Sequence, residues 1–138
     1  MKLTKVLNLL IAITLLGITL TACGPDTVEA RLYGEWKNKR EHTYVFREGG
    51  SAMWIYPVGE KTDTFFMEYR IDDTQTPIAL DFYNFENGPM KGKTLYGVAE
   101  FVEDDRGEAV RLNFRAGDDE SVRPEDTGEG GARLYVRL

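Results

Sequence analysis

Beyond residue 33 the chain is a run of short apolar and polar segments cut by turn residues, and none repeats with the 3.6-residue period of a helix. That pattern restricts the chain to β-structure. Two segments show the pleat plainly. Val110, Leu112 and Phe114 alternate with Arg111, Asn113 and Arg115; Leu134, Val136 and Leu138 alternate with Arg133, Tyr135 and Arg137. Successive side chains of a strand point to opposite faces, so each segment has one apolar and one wet face. The same reading predicts eight strands, at residues 35–40, 43–48, 51–56, 63–72, 78–85, 93–102, 109–115 and 132–138. Gly49-Gly50, Pro57 with Gly59, Asn87-Gly88-Pro89 and Asp104-Asp105-Arg106-Gly107 mark turns between them. Eight short strands with tight turns predict an all-β, antiparallel up-and-down barrel, because closure removes exposed sheet edges. A membrane-spanning barrel is not expected. Its strands need about 9–11 residues and an apolar outer face.

The N-terminal stretch follows a different logic. Met1 to Lys5 is short and basic, and an apolar run follows from Val6 to Ala22. This is the pattern of an export signal. The run also approaches the roughly 17-residue minimum of a spanning helix, and its end decides between the two. Leu20-Thr21-Ala22-Cys23 resembles the lipobox of bacterial lipoproteins at all four positions. The resemblance implies cleavage between Ala22 and Cys23 and acylation of Cys23. Two or more acyl chains anchor a protein stably where one does so only marginally. Gly24, rather than Asp, follows the cysteine. In a Gram-negative cell that implies an outer-membrane address. The organisation expected is a signal peptide at 1–22, a lipidated tether with a short helix at 23–33, and a barrel at 34–138. Asp26 with Glu29 fits a cap for that helix.

Cleavage removes 22 residues, with Lys2 and Lys5, and leaves 116 residues carrying 15 basic against 23 acidic side chains, a net charge of −8. One domain of this size buries roughly two thirds of its unfolded surface and needs no covalent staple. Cys23 is the only cysteine, so a disulfide framework is excluded. The acidic balance disfavours nucleic acid and permits a basic protein partner.

Further along, Gly34-Glu35-Trp36 looks like the G-x-W opening of lipocalins. It is followed by Tyr69-Arg70-Ile71-Asp72, Thr76-Pro77, Leu80-Asp81-Phe82, Gly92-Lys93-Thr94, Tyr96-Gly97-Val98, Arg123-Pro124 and Leu134-Tyr135-Val136-Arg137. The order resembles a lipocalin-like domain family first noted as abundant in planctomycetes. Two places depart from it: Ala99 stands where that family has a tyrosine, and Glu125-Asp126-Thr127 replace a phenylalanine after Arg-Pro. The resemblance implies an eight-stranded barrel with no settled activity and no catalytic residues. It also implies that Trp36, beside Gly34, packs at the closed end against Arg133 or Arg137 of the last strand.

No catalytic constellation is legible. His42 is the only histidine, and the carboxylates cluster at turns. No enzyme activity, metal or other cofactor is expected. The acidic stretch from Asp118 to Asp126 lacks the spacing of a calcium loop and reads as solvated. Trp54, Tyr56, Phe66, Tyr69, Tyr83 and Tyr96 are the candidate ligand-binding side chains. Phe65-Phe66 and Phe82-Tyr83 are adjacent pairs, so one member of each must face outward. An eight-stranded barrel is just wide enough to fill with side chains or to hold one small ligand. The expectation is a monomeric, membrane-anchored module for a small hydrophobic ligand, with a basic protein partner as the second reading. In the loop 117–131 the composition predicts mobile flanks around an ordered Arg123-Pro124, with Arg123 paired to Asp72 or Asp81.

Overall fold

The computed structural model describes residues 27–128 and 130–138. The signal stretch, the Ala22-Cys23 cleavage site, Asp26 and Glu129 lie outside the described residues. A short helix, α1 (Val28–Leu32), comes first. Thr27 caps it from an extended conformation, its Oγ1 accepting from the Ala30 amide at 3.0 Å. Leu32, fully buried, turns the helix toward the barrel.

Eight strands follow: β1 (Gly34–Lys37), β2 (Thr43–Arg47), β3 (Ser51–Val58), β4 (Lys61–Asp72), β5 (Ile78–Tyr83), β6 (Thr94–Asp104), β7 (Gly107–Gly117) and β8 (Arg133–Arg137). Each pairs antiparallel with its neighbour in sequence, and β8 returns to β1, so the sheet is a closed up-and-down barrel of the lipocalin-like kind. β1 is shorter than the sequence predicts because Asn38 draws the chain into a turn. Its Oδ1 accepts from the amides of Arg40 and His42, and its own amide donates to the His42 carbonyl. β6 and β7 are longer than predicted and form one continuous hairpin.

The interior is filled by rings. Tyr44 sits among Phe82 and Tyr135, each 5.1 Å away between centroids, with Trp54 and Phe114 about 6 Å away. Phe82 and Phe114 lie 4.8 Å apart, and Phe46 meets the edge of Tyr69 at 5.1 Å. Trp36, Phe46 and Phe82 are at most 1% exposed. α1 closes one end. The β5–β6 connection closes the other: Phe85 is buried and Met90 packs on the core. Asn87 fastens that connection to β4, donating to the Thr64 carbonyl at 2.9 Å and accepting from the Phe66 amide at 3.2 Å. Gly88, at φ +78°, runs so close over the Phe65 ring that an added Cβ would stand 2.2 Å from it.

One strand is turned over relative to the sequence reading. The apolar face of β7 points inward as expected, with Val110 and Leu112 buried. On β8 it is Tyr135 that enters the core cluster, while Leu134 and Val136 point away from it, Val136 nonetheless buried. The reason is Arg137, which shares a face with Tyr135 and is needed inside the closed end.

Candidate interaction surfaces

At the closed end the Arg137 guanidinium lies 4.2 Å from the Trp36 ring centroid. Its nitrogens donate to the carbonyls of Tyr33 (2.7 Å) and Arg31 (2.5 Å) and to Glu108 Oε2 (3.0 Å). The Trp36 indole donates to the Leu32 carbonyl at 2.6 Å. Arg31 covers Phe101 at 4.1 Å and reaches Glu108 at 2.5 Å. Gly34, at φ +114°, leaves Arg137 its space. Tryptophan, arginine and helix therefore form one plug, and every group in it has a structural partner. Arg133 is not in it; it lies exposed at the start of β8.

Burial raises the pKa of Glu108, but hydrogen bonds from Arg31 and Arg137 outweigh it and hold the carboxyl below its ordinary value. A lowered native pKa stabilises the fold above the unfolded value, near 4.3, and that contribution disappears as pH falls through the native pKa. Glu108→Gln is expected to cost about 1–2 kcal/mol at pH 7, since the exposed Arg31 side of the clamp is screened. Urea midpoints of the two proteins should converge as pH falls below 4. A constant gap down to pH 2 would refute the clamp.

The six candidate aromatics do not gather in one place. Trp54, Tyr56 and Tyr69 belong to the interior cluster. Tyr69 is fixed near the helix, its hydroxyl 3.0 Å from the Arg47 carbonyl and 3.2 Å from Glu29 Oε1. Phe66, Tyr83 and Tyr96 sit on the alternate, outward positions of their strands. Tyr83 lies 5.4 Å from the Arg70 guanidinium and Tyr96 lies 5.7 Å from that of Arg123. Phe66 is 44% exposed. It closes a row across four strands, Glu35–Val45–Met53–Phe66, in which each residue is the registered partner of the next. Glu68 lies two residues on along the same face and is exposed.

A second surface lies over β5 and β6. Asp81, 3% exposed, receives Arg123 through both carboxylate oxygens (2.5 and 3.2 Å) and Arg70 at 2.9 Å. Arg123 also donates to the Gly97 carbonyl at 2.7 Å. Of the two carboxylates expected for Arg123, Asp81 takes the role. The acidic loop is tied down more widely than its composition predicts. Pro124 is buried, Asn113 donates to the Asp126 carbonyl, and the Thr127 hydroxyl lies 2.6 Å from Glu100. Asp119 caps a single 3-10 turn, Glu120–Val122. These contacts are polar side chains meeting an outer wall, which a hydrophobicity argument does not register.

Cavities of about 600, 370, 350 and 310 Å³ open on the surface, and none of these is lined by the interior rings. Among the described residues no His, Cys, Asp and Glu side chains group to hold a metal ion. Fold and surfaces together define a closed eight-stranded barrel with a packed interior and a decorated outer wall. No known family model, curated protein or solved structure matches this chain.

Proposed function

We propose that this protein is a lipid-anchored, non-catalytic binding module of the cell envelope, and that it docks a protein on its outer wall. The observation that supports docking is the filled interior. Holding a small hydrophobic ligand inside takes an open apolar cavity of about 300 Å³ or more. Here Tyr44, Phe46 and Phe82 occupy that space, with α1 and the β5–β6 connection across the two ends. The Val45–Met53–Phe66 row, edged by Glu35 and Glu68, is the surface assigned to the partner. The strip has Glu35 and Glu68 beside it and Arg47 against Met53, with Val45 largely covered, so the preference for a basic protein rests on those two carboxylates and the −8 charge of the chain after Cys23. The anchor rests on Leu20 to Cys23, and the short tether keeps the barrel near the membrane.

The test uses the full chain extracted in detergent and examined by native mass spectrometry. The expected mass is that of acylated Cys23 at the N-terminus with no second small molecule. Crosslinking in the envelope should capture a basic protein with the native chain and lose it with Phe66→Glu. A stoichiometric apolar ligand that survives Phe66→Glu would return the function to the interior.

A further inference from the structure

The weakest ladder of the barrel is the seam between β1 and β8. Two residue pairs register there, Trp36 with Arg137 and Lys37 with Val136, where every other ladder carries at least four. β1 leaves the seam at Asn38, for the reason given above. β8 does not stop with it. The Leu138 amide donates to the Glu35 carbonyl across the seam at 2.9 Å. Amides along a strand alternate sides, so the backbone of Leu134, four residues earlier, faces the same side. The position opposite it belongs to Lys39, which has already turned away, and no backbone hydrogen bond joins the two. Leu134 thus presents a free amide and carbonyl at a short open strand edge.

A cavity of about 370 Å³ lies at this edge. Leu134 lines it, together with Lys39, Arg40, Arg106 and Arg133. Arg106 is held by Asp104 at 2.8 Å. Among the described residues no carboxylate pairs with Lys39, Arg40 or Arg133. Three unpaired cations therefore converge in a chain whose net charge is negative. Their field is felt next door: the pKa of His42 is lowered, first by burial and then by Arg40 and Arg133. A short edge flanked by lysine and arginine resists pairing with a neutral or basic strand. The same cations favour an acidic one, so they point to a specific occupant.

We propose that the β1–β8 seam binds an extended acidic peptide segment of a partner protein. The segment adds a strand against Leu134 and sets its Asp or Glu side chains on Lys39, Arg40 and Arg133. Strand addition takes affinity from main-chain hydrogen bonds and specificity from alternate side chains. A lone phosphate would use the cations and leave the backbone edge unused, which is why a peptide fits better. The site is independent of the Phe66 row, because β4 and β8 are four strands apart in a ring of eight and lie on opposite walls.

The probe is a fluorescein-labelled peptide of alternating Glu and Val, titrated against the full chain in detergent and followed by anisotropy. The expected result is saturable binding that weakens with salt, at least tenfold weaker affinity for Arg40→Glu/Arg133→Glu, and no binding of a Lys–Val peptide. Methylating the central peptide amides should also weaken binding at least tenfold, and Phe66→Glu should leave it unchanged. Circular dichroism checks the fold of the double variant, and the milder Arg133→Gln should weaken binding in the same direction. Three results would overturn the proposal: equal binding of the Glu and Lys peptides, indifference to both Arg133 variants, or equal affinity of the methylated peptide. Displacement by inorganic phosphate or anionic vesicles with no effect of methylation would make the groove a plain anion site and the peptide reading wrong.

Discussion

Trp36→Ala is expected to lower stability by about 3–5 kcal/mol, the range for deleting a large aromatic from a packed core. Trp36 is fully buried, so almost none of the lost contact is replaced by water on its outer side. The ring also sits where three elements meet. Its indole holds the Leu32 carbonyl at the end of α1, its face carries Arg137 of β8, and its edge meets Phe101 of β6 at 6.1 Å. Removing it leaves the Arg137 guanidinium over a void, with only Glu108 and the Tyr33 and Arg31 carbonyls to hold it. The helix should loosen before the barrel does. Amide exchange at Ala30 and Arg31 is expected to rise at low denaturant, and the urea midpoint to fall. Trp36→Phe should recover most of the packing and little of the helix protection, because it lacks the indole donor. A Trp36→Ala protein within 1 kcal/mol of the native one would show that the plug is not a stability element.

Asp81→Ala is expected to cost about 3–5 kcal/mol as well, by a different mechanism. Breaking a buried ion pair by removing one partner leaves the other charge uncompensated. Arg123 is the partner at risk, since its side chain is 14% exposed, while that of Arg70 is 57% exposed and can turn to water. Arg123 is also the central anchor of the acidic loop. Its release should free Pro124 and the 3-10 turn, so protease cleavage between residues 118 and 126 should speed up far more than global unfolding. The reverse test is Arg123→Met with Asp81→Leu, which replaces the pair by apolar groups of similar size. If the pair matters chiefly because each charge needs the other, the double variant should recover much of the stability lost in either single one. Cleavage of Asp81→Ala at the native rate would show that the loop is held by Asn113 and Thr127 instead.

The two variants also mark how much could be read before folding. Secondary structure was legible because a strand advertises itself locally. Alternation in β7, the glycine pair after β2 and the Asn87-Gly88-Pro89 turn each act within a few residues. The adjacent pairs Phe65-Phe66 and Phe82-Tyr83 required an outward ring in each case, and Phe66 and Tyr83 are those rings. The closed eight-strand order followed from the same local count. Arg123-Pro124 stood out as the ordered point of its loop because proline restricts both residues.

What tertiary structure alone decided is a set of choices between near equals. Two arginines of β8, Arg133 and Arg137, were equivalent in the sequence; only the closing register places Arg137 beside Trp36. That placement turns β8 over, because a strand has two faces and Arg137 brings Tyr135 inward with it. Leu134 and Val136 face away from the ring-filled interior, Val136 still covered, because the stacked and bonded Arg137 takes the inner face of a five-residue strand. The early end of β1 has the same origin. The Asn38 side chain competes with the ladder for amides, and the resulting open edge at Leu134 depends on two strands a hundred residues apart. Whether the barrel is filled or hollow was also settled in three dimensions, since residue types fix volumes but not which rings share a layer. The chain thus carries its strands and turns in its own pattern, while its sites arise where distant segments fail to pair.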